Sequence, residues 1–396
     1  MNKAANGRWA VAAMFLVNGF MMGAWAPQIP LMLPRLHIGS AVMGLLILLI
    51  GAGAVGAMLF AGKLIAAHGS RRMVMIFAAL FLPTLPLIVL APSIWLVAPV
   101  MVAFGAFGGC MDVSMNANAV EVERRLGRAI MSSSHGFWSL GGFFGGVLGG
   151  KLIEAAGPVW QAVTVSVLGT AIVASGAQFL VPDAAHAAPA AGKPKTAMFP
   201  RVAVLYLLGA MALFSMVPEG SVLDWAALYL NSELHVGLAR AGLAFGLFSG
   251  AMAIMRFLGD AVRNRFGAVA TLRISGLIGA AGLIAAAVAP NDIVAILGFT
   301  FAGLGVANMV PIMFSAAGNH PDLSAGSGIA TVTMIGYSGI LVAPSAIGFI
   351  AQHIGFRLTY GSVALLLLVV AWQAWRASAA DGRPSVAVEL PLDSGM

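Results

Sequence analysis

The sequence predicts an all-α membrane protein with twelve transmembrane helices, and three observations support that fold class. Hydrophobic residues make up 60% of the 396 residues, and only 9% are charged. The mean hydropathy of +0.95 lies well outside the range of soluble domains. The charges fall in short clusters between apolar runs, each long enough to cross a bilayer, for which about 20 residues are needed.

The apolar runs divide into two groups of six. They cover residues 9–33, 40–67, 72–91, 94–119, 130–154, 158–181, 202–230, 238–262, 269–289, 292–317, 324–351 and 355–376. The segment 182–200, rich in Pro, Ala and Lys, predicts a flexible cytoplasmic linker between the groups. We therefore expect an N-terminal half over residues 1–181, a C-terminal half over 201–376 and a disordered cytoplasmic tail over 377–396.

The distribution of basic residues predicts the orientation in the membrane. With a cytoplasmic N-terminus, 17 of the 21 Lys and Arg residues lie on the cytoplasmic side, and the other side keeps only Arg35, Lys151, Arg240 and Arg357. Such an excess of positive charge is typical of cytoplasmic loops. We expect a multi-pass protein of the inner membrane with both termini in the cytoplasm.

Short matches relate the two halves. Trp25-Ala26 in the first run matches Trp225-Ala226 in the seventh at an offset of 200, and Gly56-Ala57-Met58 matches Gly250-Ala251-Met252 at an offset of 194. Internal repeats of six helices with a solute site between them are typical of secondary transporters. The matches therefore predict a six-plus-six pseudo-repeat.

Composition also excludes several classes of function. The net charge of +7 comes from loop Lys and Arg, so we expect no nucleic-acid partner. The single cysteine, Cys110, excludes a disulfide within the chain and a thiolate metal cluster. The sequence holds no nucleophile at a workable spacing from a base, no histidine-rich metal set and no phosphate-binding loop. We expect no enzyme activity, no cofactor and no ATP-driven transport.

Two turns on the cytoplasmic side carry a family signature. The stretch Gly62–Arg72 reads GKLIAAHGSRR, and its counterpart after the eighth run is Arg256–Gly267. These turns and the layout of the runs resemble the major facilitator superfamily over the whole chain, although Ala66 stands where the family has an acid. The resemblance implies the major facilitator fold and a charge lock at the cytoplasmic end. The residues expected to act in gating are Arg71, Arg72, His135, Arg256 and Asp260.

The fourth run carries a closer resemblance. Cys110, Asp112 and Asn116 match the Cys-x-acid-x-x-x-Asn pattern of the fucose:proton symporter group. With the stretches Ser132–Ser139 and Gly336–Gly339 added, the chain resembles the YbjJ-type inner-membrane transporters. The resemblance implies that Asp112 contributes to sugar binding and coupling. The aspartate that the symporter group places on its first helix is absent here.

Acidic side chains inside the apolar runs are the candidates for proton coupling. An ionisable group within the bilayer is costly and usually faces a wet cavity or a transport path. The expected proton-coupling residues are Asp112 and Glu219, and we expect the seventh helix to break at Pro218 and Gly220 beside Glu219. Asp112 also has a structural interpretation, as the partner of His135 or of an arginine at the cytoplasmic end.

Neutral polar and aromatic side chains inside the runs predict a site for an uncharged polar solute. Indoles stack on the apolar faces of sugar rings and donate one hydrogen bond, and amides both donate and accept. Each of these groups can instead pack or bridge helices. The expected substrate-binding residues are Asn18, Trp25, Gln28, Asn116, Trp138, Asn308 and Tyr337.

These features predict a monomeric secondary active transporter that moves a small polar solute, such as a sugar-like metabolite, by proton symport. One alternative is proton-driven efflux of amphipathic compounds, which the glycine-rich fifth run and the 22 methionines favour. A second alternative is a membrane sensor that binds its ligand without translocating it.

Overall fold

The computed structural model describes residues 3–126, 130–182, 202–318 and 325–381, and all regular structure within them is helical. The helices are α1 (Lys3–Trp25), α2 (Ile29–Leu36), α3 (Ser40–His68), α4 (Ser70–Phe81), α5 (Thr84–Leu90), α6 (Ile94–Leu126), α7 (Met131–Ala156), α8 (Pro158–Ala177), α9 (Ala203–Glu233), α10 (Leu238–Phe266), α11 (Ala268–Ala287), α12 (Asp292–Val306), α13 (Met309–Gly318) and α14 (Ala325–Trp372). Two 3-10 segments, Ala26–Gln28 and Ala374–Asp381, follow α1 and α14. The predicted all-α class is confirmed.

The helices follow the predicted runs. Within the described residues, 10 helical segments are long and apolar enough to span a membrane, with α1 and α2, α4 and α5, and α12 and α13 each forming one segment. Glycine-rich α7, with 26 residues, occupies the place of the fifth run. Gly355 has a φ of 81° and divides α14 into the eleventh and twelfth runs.

The predicted break in the seventh helix is wrong. α9 continues as one helix of 31 residues, and neither Pro218 nor Gly220 interrupts it. A proline removes one hydrogen bond and adds a clash, but neighbouring helices in a membrane bundle can hold such a helix together. Here Pro218 is buried, and the hydroxyl of Ser221 donates to its carbonyl at 2.8 Å.

Backbone geometry shows the internal repeat more clearly than residue matches do. Every described residue with positive φ belongs to a pair separated by 198 positions. The pairs are His37 with His235, Gly69 with Gly267, and Gly157 with Gly355. Each pair ends corresponding helices of the two halves, so the repeat is preserved in the turns, where only a few residue types adopt positive φ.

Glycines on α7 bring three helices into backbone contact. Gly142, Gly146 and Gly150 lie against α10, while Gly141 and Gly145 lie against α1. Residues four apart share a helix face, and glycine allows backbones in a membrane bundle to approach closely. Close packing thus explains the glycine run that also indicated efflux.

The two halves meet at the end of the bundle that holds residues 36–40 and 233–237, which we call the closed end. There α2 and the 3-10 segment after α1 pack against α9. The Gln352 side chain accepts a hydrogen bond from the backbone N–H of Ala41 at 2.8 Å, and Glu154 accepts from that of Ala239 at 2.7 Å. The two acceptors, Glu154 and Gln352, are 198 positions apart, and so are the two donors, Ala41 and Ala239. Each half therefore caps the first turn of a helix in the other half, in equivalent positions of the repeat.

The opposite end holds Lys3 and Asp381, and we call it the terminal end. Among the described residues, α1 makes no extended contact with α9, and α6 makes none with α13 or α14. The α7–α10 contact continues towards this end as far as Gly136 and Phe257, and α3 packs against α14 where Gly44 meets Ser345. The space between the halves therefore opens towards the terminal end.

Tryptophans mark the two membrane surfaces. Trp95 and Trp160 are exposed at the closed end, and Trp9, Trp372 and Trp375 are exposed at the terminal end. Such aromatic belts are typical of membrane–water interfaces. The three tryptophans singled out from the sequence, Trp25, Trp138 and Trp225, are absent from these belts because they lie inside the bundle.

The boundary expected for the tail also shifts. Residues 377–381, predicted to be disordered, belong to the second 3-10 segment. The Asp381 carboxylate accepts from the backbone N–H of Ala268 at 2.6 Å, and Arg263 donates to the carbonyl of Ala380. These bonds hold the segment against α10 and α11. Residues 382–396 and all but Pro182 of the predicted linker lie outside the described residues.

Candidate functional site

A charged cluster connects the two halves inside the bundle. Arg256 on α10 lies with Nη2 3.4 Å from both carboxylate oxygens of Glu219 on α9. Its Nη1 donates to the hydroxyl of Ser139, on α7 in the other half, at 2.6 Å. The side chains of Arg256 and Glu219 are 16% and 26% exposed, so the pair is only partly buried.

The glycines of α7 make this cluster possible. Gly142 lies against Ser249 of α10, whose hydroxyl donates to the backbone carbonyl of Ser139 at 2.8 Å. Arg256 lies two turns beyond Ser249 on α10, and this position brings its guanidinium to the Ser139 hydroxyl. His135, one turn before Ser139, is half-buried and packs edge-on against Phe15 at 5.1 Å between ring centroids.

A second polar group joins α1, α6 and α7. The indole of Trp138 donates to Oδ1 of Asn18 at 2.8 Å, and Nδ2 of Asn18 donates to the carbonyl of Gly108 at 3.3 Å. Trp138 is half-buried, whereas Asn18 is 5% exposed. This polar group is next to the charged cluster in the chain, because Trp138 precedes Ser139 by one residue.

Asp112 lies apart from this cluster. It is half-buried on α6, and Nδ2 of Asn116 donates to its backbone carbonyl at 2.9 Å. No described residue forms an ion pair with Asp112. The sequence-predicted acids, Asp112 and Glu219, are therefore held in different ways.

Three predicted substrate-binding residues serve helix packing in this conformation. Trp25 is fully buried, and Gln28 is 1% exposed with its amide donating to Oε1 of Gln161 at 2.5 Å. Asn308 donates to the backbone carbonyl of Met255 at 2.9 Å and lies against Gly259. Asn308 thus binds α10 one residue before Arg256, whereas Gln28 binds within its own half at the closed end.

The expected gating residues are dispersed. Arg256 joins Glu219 and Ser139, and its position on α10 lies more than two turns before the α10–α11 turn. Arg71 is half-buried with its Nε unpaired among the described residues, and Arg72 is exposed. The side chains of Asp260 and Tyr337 lie outside the described residues.

Sequence reasoning missed two groups of residues. Ser139 follows His135 by one helical turn, and that spacing places both on one face of α7. At the terminal end, buried Glu121 pairs with Arg125 at 2.9 Å beside Asn118, which donates to the Ser70 hydroxyl at 2.9 Å. The i,i+4 spacing of Glu121 and Arg125 is a signal that the sequence contains.

Comparison with known proteins identifies the family. A model described as Major Facilitator Superfamily matches residues 11–339 and 221–391. An uncharacterised MFS-type transporter of Yersinia pestis is 36% identical over 364 residues, which cover 91% of this chain and 93% of that protein.

The chain belongs to the Major Facilitator Superfamily. Its fold resembles that of a mutant of the nucleoside transporter NupG, with a TM-score of 0.72 and 13% identity over 93% of this chain and 99% of NupG. It also resembles a D-xylose-proton symporter, with a TM-score of 0.71 and 13% identity over 96% and 99% of the two chains. This family member is therefore a multi-pass secondary transporter, not an enzyme, and it takes a small-molecule substrate.

Proposed function

We propose that this transporter moves a small uncharged polar solute, such as a sugar, polyol or nucleoside, together with protons. The observation that carries the proposal is the Arg256–Glu219 pair, which is linked to the other half through Ser139. Protonation of Glu219 removes one charge of the pair. Because one partner left alone in a partly buried pair is destabilising, the proton alters the contact that joins the halves.

The groups around the cluster support a neutral solute. Trp138 presents an indole face, and Asn18 is an amide held beside it at 2.8 Å. Aromatic faces and neutral donors suit polyhydroxylated rings, whereas Arg256 has its charge balanced by Glu219. The likeness to a nucleoside transporter and a xylose symporter is a likeness of fold, so it adds only general support.

Asp112 is proposed as a second coupling group. The pattern that it forms with Cys110 and Asn116 resembles the fucose:proton symporter group, and no described cation neutralises it. The resemblance to the YbjJ-type transporters also stays a prediction from sequence. We assign the terminal end to the cytoplasm of an inner-membrane protein from the excess of basic residues, so this conformation is the inward-facing one.

Transport by the reconstituted protein tests the proposal. Proteoliposomes with an imposed pH gradient are offered labelled sugars, polyols and nucleosides, and we expect accumulation of at least one. Glu219→Gln is expected to lose gradient-driven accumulation and to keep solute exchange, because exchange needs no net proton movement. Glu233→Gln is the matched control: Glu233 lies on the same helix but binds the backbone N–H of Phe356 at 2.5 Å, away from the cluster.

Several outcomes would contradict the proposal. Accumulation that is unaffected by the gradient, or by Glu219→Gln, would remove proton coupling through Glu219. Unchanged transport by Asp112→Asn would remove the role of Asp112 alone. Binding of a solute without exchange would favour the sensor.

An apolar groove favours efflux as a second candidate. A cavity of about 470 Å³ lies between α9 and α14 and is lined by Leu213, Val217, Ile347 and Val363, among others. Its size suits an amphipathic molecule. Drug resistance on expression, with no uptake of any sugar or nucleoside, would support efflux.

A further inference from the structure

A buried carboxylate lies where the two halves meet at the closed end. Asp224 on α9 is 6% exposed and lies beside Trp25 of α1. The ring of Trp225, the next residue, packs against Gly348 of α14, which also meets the carbonyl of Ser40 from α3. Both halves therefore contribute to the surroundings of Asp224.

One buried indole N–H, that of Trp25, lies beside Asp224, and a second belongs to Trp225, the next residue of α9. Trp25 and Trp225 are fully buried, and neither Nε1 has a partner of normal hydrogen-bond geometry among the described residues. An unsatisfied buried donor loses its hydrogen bond to water without replacement, so such groups are rare. The Trp25 N–H beside Asp224 is therefore only partly satisfied while this end is closed.

No described cation balances Asp224. The nearby arginines of the closed end are engaged elsewhere: Arg35 donates to the Ile88 carbonyl at 2.9 Å, and Arg240 pairs with Asp292 at 2.8 Å. Arg357 on α14 lies 3.7 Å from Glu233.

The other titratable groups near Asp224 already have partners. Tyr360 on α14 faces Asp224, and its hydroxyl donates to the Ser221 carbonyl at 3.0 Å. Glu219, five residues earlier on α9, pairs with Arg256. The carboxylate of Asp224 therefore stands alone among neutral groups.

We propose that Asp224 is a proton-binding site of the closed end, protonated while the halves are packed there and ionised when that end opens to water. An ionised carboxylate buried without a cation costs several kcal/mol, whereas its protonated form carries no charge and can donate a hydrogen bond. Opening between α2 and α9 wets the group and removes that cost.

This site differs in role from Glu219. The Glu219 side chain is 26% exposed, whereas Asp224 is only 6% exposed in this conformation. A proton on Asp224 therefore enters and leaves from the closed end, and it sets how readily that end opens. The inference goes beyond the proposed function and holds for any solute.

The sign of the pH dependence follows by linkage. Because the closed state binds one more proton than the open state, raising the pH favours opening. The open-to-closed ratio then changes by up to about tenfold per pH unit over the titration range.

Distance measurements across the closed end test the inference. Spin labels at Pro34→Cys on α2 and Ser232→Cys on α9, both at exposed positions, are placed in a Cys110→Ala background of the full-length protein in lipid nanodiscs. We expect the long-distance population to grow from mildly acidic to mildly alkaline pH. In Asp224→Asn, which mimics the protonated group, we expect the short distance at every pH.

Controls make each outcome informative. Asp292→Asn changes an acid at the same end that already pairs with Arg240, and it is expected to retain the pH response of the parent protein. If the distance between the spin labels in the parent protein does not change with pH, the inference is wrong, whatever the Asp224 variant shows. An Asp224→Asn protein that opens with pH like the parent would also overturn it.

Discussion

At the scale of single residues, exposure separates two kinds of polar side chain inside the bundle. Gln28 is 1% exposed and uses its amide on Gln161 and on the Pro158 carbonyl at 3.0 Å. Arg256 and Glu219 are partly exposed and connect different halves. In the sequence all three are polar residues within apolar runs. Only Arg256 and Glu219 are partly exposed in the structure, and Arg256 also binds Ser139 in the other half.

Replacement of Gln28 by Ala is expected to lower stability and leave solute affinity unchanged. The change leaves the buried Oε1 of Gln161 without its donor, which costs about 1–3 kcal/mol, while Nε2 of Gln161 still donates to the Ala24 carbonyl at 3.0 Å. Thermal unfolding in detergent measures the loss. Gln178→Ala, at an exposed amide, is the control and is expected to unfold like the parent. Weaker solute binding with unchanged stability would restore Gln28 as a binding residue.

At the scale of helices, the small residues of α7 decide how the halves approach each other. A Cβ placed on Gly146 would lie 2.8 Å from the backbone nitrogen of Gly246, closer than real contacts allow. Gly56 on α3 has nothing within 4 Å of the same position. The two glycines are indistinguishable by propensity, since both lie inside long helices.

Gly146→Ala is therefore expected to force α7 and α10 apart and to reduce both thermal stability and transport. Gly56→Ala is expected to be neutral or slightly stabilising, because alanine is the better helix former by about 1 kcal/mol. Unfolding temperature and transport rate, measured side by side, check both. Equal behaviour of the two variants would contradict the close contact.

The repeat itself was visible in sequence only as short matches at offsets of 200 and 194, whereas the turns repeat at 198. Side chains inside the helices have diverged because lipid and neighbouring helices accept many apolar residues. The turns have not, since positive φ restricts the residue type. The break predicted at Pro218 is absent because packing around α9 overrides the helix-breaking preference of proline.

At the scale of the whole molecule, two reciprocal caps hold the closed end. Gln352 binds the first turn of α3, and Glu154 binds the first turn of α10. Each half thus stabilises a helix start in the other, and both bonds must break for that end to open. The pseudo-twofold arrangement makes the two bonds comparable in geometry.

Removing either cap is expected to favour opening of the closed end. A helix cap contributes about 1 kcal/mol, so Glu154→Ala or Gln352→Ala should raise the open-to-closed ratio about fivefold. Glu154→Gln keeps an acceptor oxygen and is expected to remain near the parent. The spin-label pair across the closed end reports the ratio. A shift with Glu154→Gln as large as with Glu154→Ala would show that charge, not capping, is responsible.

By itself, the sequence determined the membrane location, the helices, the two-half organisation and the family, because hydropathy, turn residues and signature turns are local properties. It also identified Glu219 and Arg256 as unusual. Only the tertiary structure decided that they form one cluster with Ser139, which is 117 residues from Arg256, and that Asp224 is buried beside Trp25 of the other half. Contacts between distant segments depend on how closely helices pack, and that is set by glycines whose partners no single run of sequence contains.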